Sequence, residues 1–94
     1  ELVEIFKSLA RKKQYVLPET TEAVLIDTIH HLCMNKNRSF GNAREIRSLF
    51  DNTISQLSMR VSAIPPSLLS ERDYQVIEPA DIPAPMPNQF SSHP

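Results

Sequence analysis

The residues at 41–47 offer the chemistry that most sets this chain apart. Asn42 is of a type preferred as a helix N-cap, and Glu45 three residues later completes a capping-box pattern, so a helix is predicted to begin at Ala43. Arg44 then falls in the first turn, where the helix dipole is positive and an exposed cation costs about 0.3 to 1 kcal/mol. The unpaired N–H groups of that turn attract anions, and a guanidinium adds a planar donor fork that matches phosphate oxygens. The pattern predicts a phosphate-binding helix start.

Two neighbouring residues bear on this hypothesis. Gly41 is the single glycine among 94 residues and directly precedes the predicted cap, which favours a positive φ or a close backbone approach there. Arg47 lies one turn after Arg44 and is a second candidate. For Arg44 the competing interpretation is a solvated arginine whose stem covers a neighbour. For Arg47 it is a surface ion pair with Asp51 or a subunit contact.

Hydrophobic spacing predicts three helices that would position these residues. The expected spans are residues 1–13, 18–35 and 43–62, the last ending before two consecutive prolines. Their apolar faces are expected to comprise Leu2, Ile5, Phe6 and Leu9, then Leu25, Ile29, Leu32 and Cys33, then Leu49, Phe50, Ile54, Leu57 and Val61. Residues 15–17 and 74–77 carry β-type side chains and could pair as a minimal two-stranded ribbon. The predicted fold class is all-α, a small helical bundle with this ribbon as an optional addition.

Composition limits the chain to one small domain and excludes several function classes. A net charge of −1 with no continuous basic stripe argues against a nucleic-acid-binding face. No apolar run is long enough to span a bilayer, so no membrane contact is expected. A single cysteine, Cys33, excludes an intramolecular disulfide and is consistent with the cytoplasm. Because the chain opens at Glu1 within a helical pattern, we expect a fragment of a longer protein.

The C-terminal residues differ in composition from the rest. From Pro79 the chain has five prolines in sixteen residues and few apolar side chains. We therefore predict a folded domain over residues 1–78 and a proline-rich, disordered tail over residues 79–94.

Residues for independent catalysis are missing from this sequence. His30, His31, Cys33 and His93 are the histidine and cysteine ligands, and their spacing lets at most two meet one metal, so no metal site is expected. No nucleophile, base and orienting group can be assigned, and a single glycine excludes a GxxxxGK[ST] phosphate loop. No catalytic residue is expected in this chain.

Several motifs taken together resemble the C-terminal lid of AAA+ ATPases. They are Glu1-Leu2-x-x-Ile5-Phe6, Tyr15-x-Leu17 and, above all, Phe40-Gly41-Asn42-Ala43-Arg44-x-Ile46-Arg47-x-Leu49-Phe50-Asp51-x-x-Ile54-x-Gln56-x-x-x-Arg60. The resemblance covers residues 1–62 and is strongest for the CbbX-like branch, which includes red-type rubisco activases and stage V sporulation protein K. Residues 76–82 are similar more weakly, and prolines replace the helix that the family has after them.

The resemblance implies that Arg44 is the sensor 2 arginine, which contacts ATP held by the large α/β subdomain of the same protein. Gly41, Asn42, Ala43 and Arg47 would lie beside that nucleotide. The implied parent hydrolyses ATP with Mg²⁺, assembles into a homo-oligomeric ring such as a hexamer, and remodels a protein substrate. Its phosphate loop, Walker B acid and arginine finger would lie upstream, so this chain alone is not expected to be an enzyme.

A hypothesis from another function class stays open at this point. The chain could be a non-enzymatic helical protein-protein interaction module whose apolar groove or proline-rich tail docks a partner, with Arg44 on its surface. A GxxxxGK[ST] loop upstream would favour the ATPase, and its absence would favour the module.

Overall fold

Three α-helices form the body of the protein in a computed structural model that describes residues 2–34 and 43–83. They are α1 (Leu2–Lys12), α2 (Glu19–Met34) and α3 (Ala43–Ser62), followed by short 3₁₀ helices at Pro66–Leu68, Glu71–Tyr74 and Pro79–Asp81. The described residues contain no β-sheet. The predicted all-α fold class is therefore confirmed.

The core lies where the three helices meet, with α1 packed along α3. Phe6 is fully buried, and its ring meets that of Phe50 edge to face at a centroid distance of 5.3 Å. The other buried hydrophobic residues are Ala10, Leu25, Ile29, Ile46, Leu49, Leu57, Val61, Ile77 and Ile82. Most of them follow the helical spacing that the sequence predicts, whereas Ile77 and Ile82 come from the segment after α3.

The buried face of α2 differs from the predicted one. Thr21, Leu25, Thr28 and Ile29 are buried, whereas Cys33 is exposed, so the expectation that Cys33 belongs to the core is wrong. At 3.6 residues per turn, Cys33 points roughly 90° away from the centre of the buried face. Thr21 and Thr28 are polar, so the spacing of apolar residues alone does not place them on the buried face.

The end of α1 is fixed by backbone geometry. Gln14 has a φ of 66°, in the left-handed region, and the Tyr15 and Gln14 N–H groups donate to the Ala10 and Arg11 carbonyls at 2.8 and 3.1 Å. This is the Schellman arrangement, in which glycine normally takes the left-handed position. Since that conformation disfavours a residue with a Cβ, Gln14 stores some strain there. The turn fixes where Tyr15 leaves the helix.

The predicted ribbon is reduced to a single contact. Val16 and Val76 form one isolated parallel bridge, in which the Val16 N–H donates to Gln75 and the Ile77 N–H donates to Val16, at 2.8 and 2.9 Å. The pairing partners are those expected, but no two-stranded ribbon forms. Prolines explain this, because Pro18 leads directly into α2 and Pro79 begins a 3₁₀ helix.

Residues 76–82, here called the C-terminal strap, are held against α3 by a bidentate ion pair. The Asp81 side chain is 1 % exposed, and Arg60 donates to its two oxygens from Nε at 2.9 Å and from Nη2 at 2.8 Å. Arg60 also donates to the Val76 carbonyl, and the Glu78 N–H donates to Asp81. The hydrogen bond to Asp81 raises the pKa of Arg60 above its ordinary value.

The strap includes residues that the sequence placed in the tail. Asp81 and Ile82 are both buried, and Pro79–Asp81 contacts α2 and α3. Packing therefore continues past residue 78 as far as Ile82. Residues 84–94 of the predicted tail lie outside the described part of the chain.

Side chains of α2 complete the connections between elements. The buried Thr21 hydroxyl donates to the Ile77 carbonyl at 2.7 Å, which joins the start of α2 to the strap. Lys7 of α1 donates to Glu22 of α2 at 3.1 Å, and this hydrogen bond raises the pKa of the half-buried Lys7 amine. The first contact is fully buried and the second only partly, so the first is expected to matter more for stability.

Thr21→Val should lower the free energy of unfolding by about 1 to 3 kcal/mol, because it leaves the buried Ile77 carbonyl without this donor. Thr53→Val is the matched control. Thr53 is equally buried, but its hydroxyl donates to the Leu49 carbonyl of its own helix, so its loss should change stability by less than about 0.5 kcal/mol. Urea denaturation followed by circular dichroism measures both. Equal losses would contradict a special role for the Thr21 hydroxyl.

Arg60→Ala should lower the free energy of unfolding by about 3 kcal/mol or more, because the buried Asp81 carboxylate is left without its partner. Arg60→Lys should be intermediate, since an ammonium group cannot form the bidentate pair. Arg72→Ala, which removes an exposed arginine from the second 3₁₀ helix, is the control and should have an effect within about 0.5 kcal/mol. If Arg60→Ala and Arg72→Ala unfold at the same urea concentration, the ion pair does not hold the strap.

Candidate functional site

The first turn of α3 carries the candidate residues that the structure describes. Ala43 is the first residue of the helix and is half-buried, and Arg44 follows it and is exposed. The described part of the helix starts at Ala43, the residue at which the capping pattern predicts a helix start. Gly41 and Asn42 lie outside the described residues, so the predicted turn and cap are not described.

The buried face of α3 determines the direction of Arg44. Ile46, Phe50 and Thr53 point into the core and fix the rotation of the helix about its axis. At 3.6 residues per turn, Arg44 lies about 155° from the centre of that buried face. It is therefore presented on the outer side of the bundle, where a partner could reach it.

The two candidate arginines are not engaged in ion pairs within residues 2–34 and 43–83. Arg47 is exposed like Arg44, and Asp51, four residues later, forms no ion pair with it. The surface ion pair considered for Arg47 is thus not present in this structure. Both guanidinium groups are available to an external anion, and each has the bidentate geometry that suits phosphate oxygens.

A groove of about 320 Å³ lies beside this surface, between the end of α1 and the middle of α3. Its floor consists of buried Phe50 and the half-buried residues Tyr15 and Ile54. Its rim is exposed and polar, and is formed by Lys13, Asp51, Ser55 and Ser58. Most of the exposed lining of this shallow groove is polar.

No group of three or more His, Cys, Asp and Glu side chains in the described part of the chain could hold a metal ion. None of the described helices combines the length and the apolar character that crossing a bilayer requires.

Two parts of this arrangement could not be predicted from the sequence. Arg60 was noted only within a motif, and its role in binding Asp81 depends on the strap folding back onto α3. The groove depends on Tyr15, whose position is fixed by the left-handed turn at Gln14. Because glutamine and not glycine occupies that turn, the sequence does not indicate it. A carboxylate in an apolar segment, as in residues 76–82, is the one sequence signal that could have suggested a buried partner for Arg60.

Comparison with known proteins agrees with these observations. Searches of curated proteins and of solved structures gave no significant match. The sequence model of one protein family, described as AAA lid domain, matches residues 1–92. This match covers nearly the whole chain, including the helices, the strap and the residues around Arg44. The chain therefore belongs to the AAA lid domain family, whose membership implies association with the nucleotide-binding ATPase domain of an AAA+ protein.

Proposed function

We propose that this chain is the lid of a CbbX-like AAA+ ATPase and that Arg44 is its sensor 2 arginine. In this proposal Arg44 donates to the β- or γ-phosphate of ATP bound by the large α/β subdomain of the same protein. Arg47 lies one turn further along the outer side of α3 and assists. Gly41, Asn42 and Ala43 allow the start of the helix to approach the nucleotide.

The observation that carries this proposal is an exposed arginine in the first turn of α3 in a chain of the AAA lid family. A cation at this end of a helix opposes the helix dipole, so its own contribution to stability does not account for it. Contact with a phosphate does account for it, because the anion is attracted by the guanidinium and by the N–H groups of the same turn.

The proposed mechanism converts nucleotide state into lid orientation. A phosphate that binds Arg44 more strongly in one orientation of the lid shifts the population toward that orientation, and its loss on hydrolysis reverses the shift. Mg²⁺ would be bound by the parent's ATPase domain. We further propose that the parent is a cytoplasmic homo-oligomeric ring, a hexamer as in its proposed relatives, that applies this motion to a protein substrate.

Arg44→Ala in the whole ATPase should weaken ATP binding or slow ATP turnover by about 10- to 100-fold, the effect expected from loss of one charge-assisted hydrogen bond. Arg44→Lys should be intermediate, because lysine retains the charge but not the planar fork. Nucleotide titration and steady-state hydrolysis measure the two effects, and circular dichroism should show unchanged helix content.

Arg72→Ala is the control for the loss of an exposed arginine elsewhere and should leave nucleotide affinity unchanged. If Arg44→Ala has normal affinity and turnover, Arg44 is a surface residue and the sensor role is wrong. If the parent has no phosphate loop at all, the interaction-module hypothesis takes the place of the ATPase proposal.

A further inference from the structure

We draw no further inference here: the strongest candidate, an exposed apolar patch on the outer side of α2 that includes Ile26 and Met34, carries no proposal, because nothing in residues 2–34 and 43–83 shows what covers it.

Discussion

The Asp81 carboxylate is the constraint on which the rest of this structure depends. A charge that is 99 % buried must be paired, and its partner Arg60 comes from the last turns of α3. The pair brings the strap back across the bundle, where Ile77 and Ile82 enter the core and the Thr21 hydroxyl binds the Ile77 carbonyl. Without this return the three helices would leave those apolar contacts unmade.

The strap also connects α2, α3 and the segment between α1 and α2. Its bridge to Val16 connects it to the segment between α1 and α2, and Thr21 connects it to α2. α3 is bound to the same strap through Arg60 and to α1 through the contact between Phe50 and Phe6. The three helices are therefore connected to one another through the strap and through the aromatic contact.

The sequence predicted the elements well and their connections less well. Helices α1, α2 and α3 could be predicted because apolar spacing and the flanking prolines act locally. Cys33 was misplaced because Thr21 and Thr28 take buried positions, and a hydroxyl bonded to a carbonyl is compatible with the core. The pairing of Arg60 with Asp81 joins residues 21 positions apart, and the carboxylate within an apolar segment suggests a buried ion pair without identifying its partner.

Arg44 could be predicted from the sequence as the candidate site residue, but the groove could not. Arg44 could be singled out because a cation in a first helical turn needs an explanation, and its exposure on the outer side of α3 is compatible with that explanation. The groove could be recognised only from the structure, which brings Tyr15 close to Ile54. Tyr15 follows a left-handed turn in which glutamine occupies the position that glycine usually takes. Arg44 and the α3 residues that line the groove are all exposed on the outer side of the helix, apart from Phe50 and Ile54.

A structure of the whole ATPase with a bound ATP analogue tests this account most directly, by the distance from the Arg44 guanidinium to the nearest phosphate oxygen. The account predicts a hydrogen bond of about 2.7 to 3.2 Å between them. An Arg44 side chain directed into solvent, with the opposite side of α3 against the nucleotide, would contradict it.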